Sequence, residues 1–123
     1  MMQRKAYDTE NIFAKILRGE IPCNKADECE TTLTFHDIAP QAPIHVLIIP
    51  KGAYVDMDDF AHHASPAEKA GLMAAIGRVS VQLGLAENGY RLITNIGAYG
   101  HQEVPHLHLH LLGGEPIGPM RAA

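Results

Sequence analysis

The 123-residue sequence predicts an α+β domain: a mainly antiparallel sheet with one long and one short helix packed on it. Three observations predict it. Short segments rich in β-branched, aromatic and aliphatic residues recur at 31–36, 44–49 and 89–95, and a strictly alternating one follows at 106–111. Two segments carry helical spacing instead, a short one at 9–18 and a long one at 66–83. Glycine and proline punctuate the intervals.

Met1 to Asp8 is polar and is expected to be a mobile leader, with residues 9–123 forming a single domain. From Thr9 to Arg18, Ile12, Phe13, Ile16 and Leu17 fall on one helical face, and Gly19 terminates the helix. Ile21-Pro22 begins an extended stretch, and Thr31 to His36 is a strand by its residue types. Asp37 to Pro43, with two prolines, is a loop. Ile44 to Ile49 is almost wholly apolar, as a central strand covered on both faces would be, and His45 interrupts it. Residues 51–64 read as an irregular polar connection, with His62 and His63 as solvated loop residues. Ser65-Pro66-Ala67-Glu68 is a capping box with proline at the first helical position. Its helix runs to about Leu83 with Leu72, Ile76, Val79 and Leu83 as the buried stripe, and Gly84 ends it. Gly89 to Asn95 is a strand, Ile96 to Gln102 a loop, and the segment after Gly114 a glycine- and proline-rich tail.

The alternating segment, His106-Leu107-His108-Leu109-His110, is the most informative one. On a strand its leucines face one way and its imidazoles the other. The leucines can pack on a core, which leaves a row of three titratable rings on a rigid support. Three readings compete. A pair of rings with distant ligands could hold a metal ion. One ion does not easily take all three, because His106 and His110 would stand roughly 13 Å apart along a straight strand, whereas Zn–N bonds are about 2.0–2.1 Å. The row could be a solvated polar face. Or it could carry acid–base and nucleophilic chemistry, one ring attacking while its neighbours orient it and move protons.

Composition bounds the rest. The formal net charge is −4 and no run of lysine or arginine exists, which argues against a nucleic-acid surface. No apolar stretch approaches the ~20 residues that span a bilayer, and Met1 to Glu10 lacks the apolar core of a signal peptide. No membrane partner and a cytoplasmic location are therefore expected. Cys23 and Cys29, the only cysteines, are expected as free thiols.

His106 through Leu112 fits the pattern His-φ-His-φ-His-φ-φ, with φ apolar, and the chain thereby resembles the histidine triad (HIT) superfamily of nucleotide hydrolases and transferases. Phe35 through Lys51 is similar to the nucleoside-binding half of that superfamily; Tyr90 to Asn95 and Gly100 to Gly114 are similar to its phosphate-binding half. The resemblance covers roughly residues 10–120. Leu112-Gly113-Gly114 resembles the Hint branch, the purine nucleoside phosphoramidases; the branch that cleaves diadenosine polyphosphates usually has Pro-Arg there. The resemblance implies about five strands per subunit and a homodimer in which two sheets join. Some relatives carry a structural zinc on an early Cys-x-x-Cys. Here that stretch is Asn11-Ile12-Phe13-Ala14, so neither a metal nor another cofactor is expected.

The same resemblance implies the site. His108 would attack phosphorus, His110 would contact the phosphate or leaving group, and His106 and His45 would orient the other rings. Asn95, Gly100, His101, Gln102, Glu103 and Val104 would surround the phosphate, backbone N–H groups binding the anion without a cation. Asp37 would hold the ribose hydroxyls, a role the resemblance favours over that of a turn residue before Ala39-Pro40. Ile12, Phe13, Ile16, Phe35, His36, Ile38 and Leu47 would form the base pocket, and as apolar residues most of them serve a core equally well. Three positions depart from the family pattern. His101 stands where glycine is common, Glu103 where eukaryotic relatives often have serine, and Pro105 lacks an N–H beside the triad. The implied ligand is a purine nucleotide. The rival activities are dinucleoside polyphosphate hydrolysis and nucleotide binding in a regulatory or adaptor protein.

Overall fold

The structure, a computed structural model, describes residues 4–121. Its elements in order are α1 (Ile12–Leu17), β1 (Lys25–Glu28), β2 (Thr32–His36), β3 (Ile44–Pro50), α2 (Met57–His63), α3 (Pro66–Gln82), β4 (Arg91–Ile93) and β5 (Leu109–Gly113). The strands form one sheet in the order β1-β2-β3-β5-β4. Every neighbouring pair is antiparallel. The α+β expectation therefore holds, with five strands and one more helix than the sequence suggested.

Strand β3 lies at the centre and explains its own composition. Val46 and Ile48 point to one face and pack with Leu72, Ala75 and Val79 of α3 and with Phe60 of α2. Leu47 and Ile49 point to the other and pack with Phe13 of α1, Leu33 and Phe35. Both faces are covered, so an apolar residue at nearly every position is what the strand requires. Leu107, Leu109 and Leu111 join the α3-side core, all buried. The expected stripe of α3 is confirmed, with Leu72 and Val79 buried and Ile76 and Leu83 half-buried against the same cluster. The capping box forms as read: the Ser65 hydroxyl accepts from the Glu68 N–H and the Glu68 carboxylate accepts from the Ser65 N–H.

The observed α1 and β4 are shorter than the expected 9–18 and 89–95, and two further differences bear on the site. Residues 57–63, expected within an irregular connection, form α2. Its apolar content is too slight to show a helical period, but its start is signalled by Asp56, whose carboxylate accepts from the Asp59 N–H, and by Asp58 and Asp59 in the first turn. His62 and His63 therefore lie on a helix; the His62 ring meets the Asp58 carbonyl at 2.7 Å, and the His63 ring meets the Asp59 carboxylate at 2.9 Å. The second difference is at the triad. The ladder of β5 begins at Leu109, not His106. Ahead of it the Leu107 N–H donates to the Tyr54 carbonyl at 2.8 Å, so this segment is held by the loop before α2. The in–out alternation survives although the ladder does not.

Residues 4–8, expected to belong to a mobile leader, are tied to the domain. Arg4 is bidentate on Asp59 and donates to the Ala53 carbonyl, Lys5 pairs with Asp56, and Tyr7 reaches His106. The rest of that leader lies outside the described residues. Gly113 and Gly114 are also placed by packing: a Cβ on Gly113 would stand 2.5 Å from Leu85, and Gly114 has φ +90° with Pro43 3.0 Å from a would-be Cβ. No helix among the described residues is long and apolar enough to cross a membrane. Cys23 and Cys29 are free thiols.

Ile48 fills the α3-side core without reaching the histidine face. Truncation by Ile48→Ala should therefore cost 2–5 kcal/mol, roughly the range for a buried aliphatic side chain. A urea-unfolding midpoint equal to that of the parent would show that this side of the sheet does not carry the stability assigned to it.

Candidate active site

Four imidazoles gather on the α1 face. Strand alternation puts His110 there from β5 and His45 from β3. Their register is diagonal, His110 opposite Leu47 and His45 opposite Leu112. His106 is fully buried, His45 and His108 are buried, and His110 is half-buried.

Hydrogen bonds to backbone groups assign the protonated nitrogen of the neutral His45, His106 and His108 rings, and the His45 ring then assigns that of His110. The His108 Nδ1 lies 2.7 Å from the His106 carbonyl oxygen. A carbonyl only accepts, so Nδ1 carries the hydrogen and Nε2 presents a bare lone pair. The His106 Nε2 lies 2.9 Å from the Pro50 carbonyl, so it too donates, and the His106 Nδ1 accepts from the Tyr7 hydroxyl at 2.6 Å. The Gln41 N–H donates to the His45 Nδ1 at 3.0 Å, which leaves the His45 Nε2–H to donate to the His110 Nδ1 at 2.9 Å. The His110 Nε2 is then the protonated nitrogen.

Burial keeps these rings uncharged. It pushes His106 down to about 4. His110 is pushed to about 4 by burial and by the His108 and His45 rings beside it. Burial also lowers His108 and His45, and Asp37 opposes the shift in both. At neutral pH the row is a set of neutral imidazoles with assigned tautomers.

The remaining expected residues are divided by the structure. One Asp37 oxygen accepts from the Ala39 N–H at 2.8 Å, the turn role; the other lies 3.4 Å from the His45 Nε2. Phe13, Phe35 and Leu47 are buried in one cluster, with Ile16 half-buried against it. The Phe13 ring meets His108 edge-on, centroids 4.9 Å apart. Ile12 and Ile38 are open, at 42% and 95% exposure, and His36 is half-buried.

In the loop before the triad, a Cβ on Gly100 would stand 2.4 Å from the Ile96 carbonyl oxygen, so only glycine fits. His101 has φ +61°, the left-handed region that favours glycine. Its ring pairs with Glu103 at 3.0 Å, both side chains exposed. The Gln102 side chain is a brace: its amide donates to the Val55 and Val104 carbonyls, and its oxygen accepts from the Gly97 N–H. Val104 packs on the α1-side cluster. Asn95 is half-buried beside Thr94, whose hydroxyl donates to the His108 carbonyl at 2.9 Å.

Asp37, His45 and His110 bring one ligating atom each within 4.8 Å of one another. The His45–His110 separation of 2.9 Å is that of a hydrogen bond. Two nitrogens on one tetrahedral zinc stand about 3.3–3.4 Å apart.

A family model described as the HIT domain matches residues 18–117. The chain belongs to the HIT family. It is 60% identical over 116 residues to an uncharacterized HIT-like protein of Azospirillum brasilense, 94% of this chain and 95% of that one. It is 45% identical over 114 residues to the purine nucleoside phosphoramidase of Escherichia coli, 92% and 94% of the two chains. Among solved structures, a HIT family hydrolase from Clostridium thermocellum matches with a TM-score of 0.81 and 42% identity, over 89% of this chain and 95% of that one.

Tyr7, Gln41 and Thr94 complete the hydrogen bonding of this histidine cluster, and none of the three is legible as such in the sequence. No spacing rule links Tyr7 or Thr94 to the triad. Gln41 acts through its backbone N–H, to which residue type is almost irrelevant.

Unfolded histidines titrate near 6.5, and folding lowers His106 and His110 to about 4. Between those values the unfolded chain binds more protons than the folded one. Stability is thus complete above about 6.5 and is lost as pH falls toward 4. Urea midpoints measured across that window should decline steadily; a flat profile would mean that the rings are not held neutral.

Proposed function

We propose that this HIT-family nucleotide hydrolase cleaves the P–N bond of purine nucleoside 5′-phosphoramidates, with His108 as nucleophile. One observation carries the reading: the His106 carbonyl fixes the His108 Nδ1–H, so the Nε2 lone pair is free to attack. Attack forms an Nε2–phosphorus bond and breaks the P–N bond, and the amine leaves with one proton taken up from solvent. Water then attacks phosphorus, breaks the Nε2–phosphorus bond, returns one proton to solvent and releases the nucleoside monophosphate and neutral His108. Splitting one displacement into two suits a nucleophile held this rigidly. The positive character that the ring acquires in the intermediate is shared through Nδ1–H with the His106 carbonyl. His110, with Nε2–H directed away from His45, is the hydrogen-bond donor to a phosphoryl oxygen or the leaving nitrogen. His106 and His45 orient the other two rings.

Asp37 would receive the ribose hydroxyls on the oxygen not engaged by Ala39. Phe13, Phe35 and Leu47 would floor the base pocket, with Ile12, Ile16, His36 and Ile38 at its margin. Gly100, His101, Glu103 and Val104 would approach the phosphate with Asn95; Gln102 would shape that loop from behind. The 45% identity to a purine nucleoside phosphoramidase over nearly the whole chain supports this activity over dinucleoside polyphosphate hydrolysis. Because no step needs a divalent ion, release of amine from an adenosine 5′-phosphoramidate should be unaffected by EDTA. His108→Ala should lower kcat by at least about 10³, the scale expected on losing a covalent nucleophile. Loss of activity with EDTA, or retention of it in the variant, would defeat the mechanism.

The same reading includes a homodimer. β4 is an edge strand of the sheet. Beside it lies an apolar recess of about 450 Å³ lined by Met57, Met73, Ile76 and Leu92, with Met73 and Leu92 exposed. An exposed apolar edge of this kind is normally covered. The protein should sediment as a dimer, and Leu92→Asp should shift it toward monomer; a monomeric parent would remove this part of the proposal.

A further inference from the structure

We propose that Tyr7 is a positioning residue: an N-terminal strap brings its phenol onto His106, and His106 so held presents the carbonyl that orients His108. The kinetic part of this inference rests on the phosphoramidase reading; the structural part does not.

His106 is fully buried, and its two nitrogens need two partners. Pro50 supplies an acceptor for Nε2–H at 2.9 Å, and Tyr7 supplies a donor to Nδ1 at 2.6 Å. With both nitrogens engaged, the ring is pinned at both ends. The Tyr7 ring also meets the His106 ring edge-on, centroids 5.6 Å apart. The peptide carbonyl of this pinned residue is the one that accepts the His108 Nδ1–H. Without the phenol, Nδ1 is a buried acceptor with no other donor among the described residues, and only the edge-on Phe13 ring, 6.3 Å away between centroids, remains as a ring contact of His106. Burial raises the Tyr7 hydroxyl above its usual range, so it remains a donor at neutral pH.

Tyr7 reaches this position because the residues before it are anchored. Asp56 and Asp59 are almost wholly buried and already cap α2, the Asp59 N–H donating to Asp56 and the Val55 N–H to Asp59. Buried carboxylates require compensation. Lys5 pairs with Asp56, and Arg4 is bidentate on Asp59 while lying over the Tyr54 ring at 5.3 Å. The segment that holds the strap also holds the triad: the Tyr54 carbonyl accepts from the Leu107 N–H. Strap, α2 cap and triad thus form one connected unit.

The test uses Tyr7→Phe, which removes only the hydroxyl, and Arg4→Ala/Lys5→Ala, which releases the strap and keeps the phenol. Nitrogen-15 spectra of histidine-labelled protein report the His106 nitrogens directly. Steady-state kinetics on an adenosine 5′-phosphoramidate report the consequence. In Tyr7→Phe the His106 Nδ1 signal should move toward that of a nitrogen without a donor. Its kcat should fall about tenfold, the scale of one buried hydrogen bond, with KM unchanged. The double variant should show the same changes in smaller degree. Native His106 signals, native kcat, or a loss confined to KM in Tyr7→Phe would overturn the inference. If the parent itself failed to cleave the phosphoramidate, the activity reading alone would fall, and the His106 signals would still decide whether Tyr7 holds the ring.

Discussion

The site depends on the alternation of leucine and histidine being held from the far side of the sheet. Leu107, Leu109 and Leu111 are buried in the α3-side core, and each contributes about 1.5–3 kcal/mol through burial. A slip of one residue would drive the imidazoles into that core and expose the leucines to the α1 face. Hydrophobic packing on one side therefore fixes which way the catalytic candidates point on the other. The rings are carried by the leucines between them.

Once aimed, the rings are given distinct characters by backbone carbonyls and one backbone N–H. Pro50 and His106 each supply a carbonyl that fixes a donor nitrogen, and the Gln41 N–H fixes an acceptor on His45. Burial then keeps the rings neutral. A charged imidazole cannot attack phosphorus, so desolvation here favours nucleophilicity. The same burial makes the rings a source of acid sensitivity, since the unfolded chain accepts the protons that the fold refuses.

Much of this was legible in the sequence where a local rule applied. The capping box of Ser65 and Glu68, the stripe of α3 and the alternation at 106–111 each depend on near neighbours in the chain, and each formed. Helix α2 was missed because seven residues with one buried aromatic carry no readable period. The start of β5 was misplaced because Leu107 bonds to Tyr54, a partner that spacing along the chain cannot reveal. The N-terminal segment read as mobile because its polar residues have no local partners; Asp56 and Asp59, which anchor it, lie about fifty positions on.

By itself the sequence determined the fold class, the central strand, the face that carries the histidines and, through the motif, the family. Only the tertiary structure decided which nitrogen of each ring bears a proton, that Gln102 braces its loop, that Asp37 serves both a turn and the histidine face, and that Tyr7 belongs to the site. The division has one physical cause. Periodicity is set by backbone geometry and is written in adjacent residues, whereas a hydrogen bond between residues far apart in the chain depends on how the packed sheet brings them together.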